Sequence, residues 1–535
     1  VTTFEGIPMA RTPAGHTLVN ATIDEIHEKS LLRKSLRRFD LVFFLICTVV
    51  GLDTIGAVAK NGAQGFTWLI FLAVVFLVPY GLLMAELGST FPFEGGPYVW
   101  CRLAFGRFVA ALVTVLYWCS NPIWLGGTLT ILAVSAFSDF VTPLHGPAEV
   151  VFALAFIWFA VASAIVSFRF GKWVPSVGAF VRLAVVGFFT VSVLLYAARN
   201  GVHGFDAPAF APGYAVFIAV VPVLIFNYVG FELPSSASEE MVDPRRDVPR
   251  TIAWSGAGAV LLYGLPVLAI LLVLPASRVT GVGGFLDAAK EVLTVYGGTV
   301  SPDGTVTLTG TGKILGAVTA AAFIWALLSS GTTWIMGADR AQAAAGFDGA
   351  APRALGRISP RFGTPVTVNL LSGVVSTVVM LVAFRLSGGS ADRYFTIALG
   401  VAISTTTMSY LGIFPTLVRL RRTHPDEHRP FRVPGGMTGA WIAGSLTTFW
   451  AVVATVWLLW PGLGVDWFGA SGNPDQALPA GIGRAAFELI QVVPVVLLLA
   501  IGVLFYVLGA PTRTRRAAPG EVSATDERGM APDER

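Results

Sequence analysis

Charge is scarce in this 535-residue chain: Asp, Glu, Lys and Arg together make up 13% of it, against roughly 25% in soluble domains. With 54% of its residues hydrophobic, that shortage excludes a string of water-soluble domains, although the length would hold several. Cysteine is scarcer still. Cys47, Cys101 and Cys119 lie far apart, with no CxxC pair and no neighbouring His, which reads as buried free thiols and not as a metal site. The six His fall outside the long apolar runs, so no histidine relay passes through them. Those runs also contain no HExxH, CxxC or GxSxG. Without a nucleophile or metal constellation the chain does not read as an enzyme, and no catalytic residue, metal or cofactor is expected. The first 38 residues are polar and charged, without the apolar core and small-residue cleavage site of a signal peptide.

Long hydrophobic runs are what the chain has in abundance. Twelve reach about 20 residues, the length that crosses a bilayer: 39–60, 66–87, 108–137, 148–167, 174–198, 215–235, 251–275, 315–338, 365–384, 393–418, 439–460 and 486–509. The chain therefore reads as an all-α polytopic membrane protein. With both termini placed inside, 27 of the 36 Lys and Arg fall on the inner side and 8 on the outer, with Arg182 within a span. The positive-inside rule then sets a multi-pass protein in the cytoplasmic membrane with both termini cytoplasmic. The net charge of +4 reflects that bias and implies no nucleic-acid partner.

Two of the spans are interrupted. The first reads TVVGLDTIGAVAK, with Asp53 between Gly51 and Gly56; the sixth reads LIFNYVGFELPSS, with Glu232 just after Gly230. A charged side chain at mid-bilayer costs about 2.5–3.5 kcal/mol on insertion scales, so such residues face a polar cavity or site. Each interrupted span opens a block of five. Broken helices at corresponding places in two halves mark a secondary transporter with its site at the midplane. Unwinding frees amides and carbonyls, which hydrocarbon tolerates only where they line a cavity or meet a ligand. Half-helix N-termini attract a carboxylate and freed carbonyls attract an ammonium, so a zwitterionic amino acid satisfies both.

The ends are softer. Residues 1–29 read as disordered, SLLRKSLRR at 30–38 as a segment lying along the anionic inner leaflet, and the tail from Pro511 as unstructured. The outer loop 276–314 contains SPDGTVTLTGTGK, which alternates enough for a small hairpin. Its TGTGK is not a phosphate loop: Thr307 stands where the first Gly belongs and Ile314 replaces Ser/Thr. Pro244, Pro249 and Pro365 mark turns and helix starts.

Four segments, AELGSTFPFEGGPYVWCRLAFG, TVLYWCSNP, GFELPSSASEEMVDPRRDVPRTI and LSSGTTWIMGADRAQAAAGFDGAAPRAL, together resemble the amino acid–polyamine–organocation permeases over roughly residues 40–435. The resemblance implies a leucine-transporter-type fold: an inverted repeat of helices 1–5 (39–198) and 6–10 (199–418), with helices 1 and 6 discontinuous. Two accessory helices (419–509) follow, between the tails 1–38 and 510–535. It implies alternating-access transport of amino acids or related amines, with a proton as a coupling ion or by exchange. Polyamine or small-amine transport, and a transport-inactive sensor on the same fold, remain alternatives.

By that resemblance the amides around Ile55, Gly56 and Ala57 face a substrate carboxylate. The carbonyls near Asp53 and of Phe226 and Val229, with the adjoining Asn227 and Gly230, face an amine. The chain departs from the family pattern at Asp53, where an apolar residue is usual, and at Ala57, where a glycine is. Asp53 either contacts the substrate ammonium or carries the coupling proton; otherwise it caps the second half-helix. Glu232 matches a glutamate implicated in proton sensing, with a structural acid as the competing reading. Phe226 takes the place of an aromatic gate and Trp334 matches a Trp that packs on substrate, against the simpler reading of both as core or interfacial packing; Asn121 aligns with a pocket position or an interhelical hydrogen bond. Glu86 reads as structural. Ser329, Ser330, Thr332 and Thr333 line a sodium site or, more simply, bond back to their own helix. Arg182 lies one turn from where some members carry a lysine that replaces sodium, and it reads as snorkelling or pairing with a carboxylate, with a coupling role as the lesser alternative.

Overall fold

The computed structural model describes residues 38–170, 173–202, 207–274, 279, 284–301, 304–464, 478 and 481–517; the segments 1–29 and 30–37 and the tail beyond 517, each given a reading above, lie outside them. A chain in hydrocarbon must satisfy every backbone group internally, and each of the twelve apolar runs forms a helical span. Spans one to twelve are Phe39–Ala59, Gly62–Thr90, Arg107–Phe140, Pro147–Val166, Trp173–Asn200, Tyr214–Ser238, Pro244–Val273, Gly310–Phe347, Val366–Ser387, Ala391–Thr423, Gly436–Leu459 and Arg484–Leu508. Spans one, three and ten are the most enclosed, with 83–89% of their apolar windows buried, and span twelve the least, at 22%. The centre of the bundle is therefore built around spans one, three and ten, and span twelve lies at its edge.

Spans eight and three outrun their hydropathy. Span eight continues for 38 residues, because ADRAQAAAGF is a strong helix former and its charges find partners: Arg340 lies 3.3 Å from Glu94. Span three carries Pro122 and then a π-turn at Leu125–Leu129. Such a turn re-aims the side chains around it. At this bend Gly126 lies against the backbone of Ser376 in span nine, where any Cβ would collide, and its carbonyl accepts from Tyr394 of span ten at 2.7 Å.

The outer loop contains the hairpin, displaced from its expected place: β1 (Gly298–Val300) pairs antiparallel with β2 (Val306–Leu308). Gly310–Lys313 already belongs to span eight. An amphipathic helix, Gly284–Leu293, also forms in this loop and buries Phe285, Leu286, Ala289 and Val292. Its Gly284 lies against Gly56 of span one. The C-terminal segment is not irregular from Pro511 onward. Ala510–Ala517 is helical, held by Arg513, which donates to the carbonyls of Gly349 and Tyr506 and stacks 3.9 Å from the Tyr506 ring centroid.

Candidate functional site

Span one is helical to Val49, extended at Gly51 (φ −86°, ψ 121°), and resumes as a short turn at Leu52–Thr54 followed by Ile55–Ala59. The break strands the carbonyls of residues 47–50, and each finds a side chain from another span. Cys47 O accepts from Ser330 Oγ at 3.1 Å. Thr48 O accepts from Trp334 Nε1 at 3.0 Å. Val49 O accepts from Tyr263 Oη at 2.7 Å, and Val50 O from Arg182 Nε at 2.9 Å. The freed Gly51 amide donates to the same Tyr263 hydroxyl at 2.8 Å.

Span six is helical from Tyr214 to Tyr228, extended at Val229, and turns at Gly230 with φ +127° before a 3-10 stretch, Leu233–Glu240. Only glycine adopts that φ without strain, and a Cβ there would collide with Thr48 of span one and crowd Trp334 of span eight. The two breaks thus abut. The Tyr80 hydroxyl of span two accepts from the amides of Gly230 (2.7 Å) and Phe231 (2.9 Å) and donates to Glu232. Glu232, fully buried, also accepts from Tyr117 of span three (2.9 Å) and Tyr410 of span ten (2.6 Å).

Between the breaks lies a small cavity. Its walls are Thr48, Val49, Gly51, Asp53, Thr54, Trp124, Phe226, Asn227, Tyr263 and Trp334. The Asp53 carboxylate accepts from Trp124 Nε1 at 2.8 Å. The Trp124 ring in turn meets Phe226 edge-on at 5.9 Å and Trp334 at 6.2 Å between centroids. Asn227 is 4% exposed, and neither its amide nitrogen nor its amide oxygen has a partner. A buried amide without a partner is costly in a protein interior, and this one faces the cavity.

Of the residues expected at the site, Asp53, Phe226, Asn227 and Trp334 line this cavity. Ile55, Gly56, Ala57, Asn121, Val229 and Gly230 do not. Asn121 instead donates to the Trp334 carbonyl at 2.9 Å, joining span three to span eight. Glu232 lies beside the cavity in its tyrosine cage. Glu86 accepts from Arg421, Arg429 and the Val433 amide, a clamp between span two and the end of span ten. Ser329 and Thr333 bond back to their own helix.

Arg182 requires a correction. It neither snorkels nor pairs with a carboxylate: it is fully buried and donates to Val50 O, Cys47 Sγ and O, Ser329 Oγ, Ala326 O and Ser330 Oγ. Five N–H groups thus hold span one's broken end against span eight. Cys47 belongs to the same cluster and donates to Pro175 O at 2.9 Å.

Hydropathy did not single out Trp124, Tyr263, Tyr80, Tyr117 or Tyr410. A phenol or indole deep in a span must reach a polar partner, and that is the signal each of them carries. Asp339 falls just beyond the apolar run 315–338 of span eight. It lies inside the span, accepting from Trp118 Nε1 (2.9 Å), Ser372 Oγ (2.8 Å) and Asn369 Nδ2 (2.6 Å).

Comparison with known proteins gives this arrangement a lineage. The family model described as "Amino acid permease" matches residues 36–468. The "Probable agmatine/putrescine antiporter AguD" of Lactococcus lactis is 25% identical over 402 residues, covering 74% of this chain and 82% of its own. An amino-acid permease of Candida albicans is 24% identical over 471 residues, 80% of this chain and 69% of its own. Among solved structures, a manganese transporter of Eremococcus coleocola, in complex with an aromatic bis-isothiourea compound, shares the fold. It has a TM-score of 0.54 and 12% identity, and the match covers 95% of this chain and 98% of that one. The family match takes in well over half of the sequence, and the chain belongs to the amino acid permease family: a multi-pass secondary transporter of amino acids or amines, not an enzyme.

Proposed function

We propose that this transporter carries a small solute bearing a protonated amine, taken up in the cavity between the breaks of spans one and six and released by alternating access. One observation carries the reading. Asp53 places a carboxylate in a buried, aromatic-walled cavity whose lining holds no Lys, Arg or His among the described residues. An ammonium would neutralise that carboxylate and lie against the faces of Trp124 and Trp334. The span-one carbonyls freed by the break already have partners, so Asp53 is the charged acceptor left for the amine. The named relatives are consistent, since agmatine, putrescine and amino acids all present a protonated nitrogen.

The same reading assigns the coupling. Arg182 fills with its own fixed charge the junction of span-one carbonyls and span-eight hydroxyls where a sodium ion would find oxygen ligands, so transport is sodium-independent. Glu232 is held by three hydroxyls from spans two, three and ten, with no cation among those partners. Movement of span six would open that cage and admit a proton. The breaks, five spans apart, fit an inverted repeat of 39–198 and 199–418, and the concentration of Lys and Arg at one end fits cytoplasmic termini.

Counterflow tests the proposal. Proteoliposomes preloaded with unlabelled putrescine or lysine should accumulate the labelled solute equally in sodium and potassium buffers, and Asp53→Asn protein should not. A Glu232→Gln protein should exchange yet lose its response to pH. Counterflow that requires sodium, or that survives in Asp53→Asn, removes the corresponding role.

A further inference from the structure

Resting on that reading, we propose that the solute is an organic cation without a carboxylate: an alkyl ammonium whose second end is a hydrogen-bonding amine, guanidine or amide group. A carboxylate entering the cavity would need a cation or a cluster of free N–H donors. Among the described residues no cation lines the cavity. The nearby Arg182 has its guanidinium committed to six acceptors outside the lining side chains. The Gly51 amide is taken by Tyr263, and the Gly230 and Phe231 amides by Tyr80. The segment Ile55–Ala57 stands outside the lining and is packed at Gly56 against Gly284 of the outer helix.

The charge that does face the cavity has the wrong sign for an amino acid. Asp53 would repel a second carboxylate in so small a cavity, where aromatic walls keep the local dielectric low. The protein supplies its own carboxylate where an amino acid would bring one. Beside the buried and likewise unpartnered Thr54 hydroxyl in the same lining, what remains unmatched is the Asn227 amide, with a free donor and a free acceptor. It is suited to a neutral or donating polar end and too weak to hold an anion alone.

Matched pairs decide the point on the unmodified protein. Thermal stabilisation and counterflow inhibition would be read with agmatine against arginine, putrescine against ornithine and cadaverine against lysine. Argininamide, in which a neutral amide replaces the carboxylate at nearly constant shape, is the fourth arm. Each amine should act at a concentration at least about tenfold below its parent amino acid, the factor that 1.4 kcal/mol produces, and argininamide should side with agmatine. Arginine, ornithine and lysine acting as well as their amines would overturn the inference and leave the transport reading standing. Argininamide acting no better than arginine would overturn it too, because shape and not charge would then exclude the acid. If no member of any pair binds, the transport reading falls and takes this inference with it.

Discussion

At the scale of the residue, Asp53 and Trp124 act as a pair. The indole N–H fixes one carboxylate oxygen at 2.8 Å. A hydrogen bond to a charged group contributes about 1.5–3 kcal/mol. Trp124→Phe keeps the aromatic wall and removes that bond, so it should raise the KM for transport about tenfold while the maximal rate changes little. A rate that falls with KM unchanged would instead place Trp124 in the conformational step. Asp53→Asn is the harsher change: losing one partner of a buried charge pair costs about 2–5 kcal/mol, or about 30-fold or more in apparent affinity. That Asp53 mattered was legible in the sequence, since a mid-span acid has to face something polar. Its bond to Trp124 was not, because Trp124 reaches the cavity only through Pro122 and the π-turn after it, which hydropathy cannot register.

At the scale of the element, the two breaks behave as one joint. Gly230 sits at φ +127° against Thr48 and Trp334, so spans one and six can close on each other only while that position has no side chain. Gly230→Ala combines a strained backbone, worth about 1–3 kcal/mol, with a collision at the joint. It should abolish counterflow while the protein still purifies as a folded species with a lowered melting temperature. Full transport by Gly230→Ala would show that the joint opens more widely than this packing implies. The breaks themselves could be read from Gly–carboxylate interruptions in otherwise apolar runs. What satisfied them could not. The carbonyls of residues 47–50 are taken by Tyr263, Arg182, Trp334 and Ser330, side chains more than 130 residues away in sequence that only the packed bundle brings near. Arg182 was misread for the same reason. Its five donors are matched by carbonyls and hydroxyls, and a search for a carboxylate partner could not find it one. Arg182→Met would leave those oxygens facing each other without a cation and should cost transport and thermal stability together, in sodium and potassium alike.

At the scale of the whole molecule, the end of the bundle rich in Lys and Arg is tied together through one acid. Asp348, just past span eight, accepts from Tyr98 at 2.6 Å and from Arg107 at 2.9 and 3.2 Å, and lies 2.8 Å from Arg102. The next residue, Gly349, offers its carbonyl to Arg513 of the C-terminal helix. Four separate stretches of chain therefore meet at this point. Burial alone would raise the Asp348 pKa, but the Arg102 and Arg107 charges and the Tyr98 and Arg107 hydrogen bonds outweigh it and hold the carboxyl below its ordinary value of 3.8. The sign of the linkage follows. A carboxyl with a depressed folded-state pKa adds stability that is present above the unfolded value near 4, and loses it as pH falls through the folded value. Between pH 5 and 8 this contribution is constant; below pH 4 it drains away. Removing one partner of a buried ion pair costs about 3–5 kcal/mol, so Asp348→Asn should lower the melting temperature throughout the neutral range. Below pH 4 the gap between the variant and the parent protein should narrow, because the parent then loses what the variant never had. A gap that stayed constant down to pH 3 would mean that Asp348 contributes through packing and not through its charge, and the four stretches would then be held together by something other than this ion cluster.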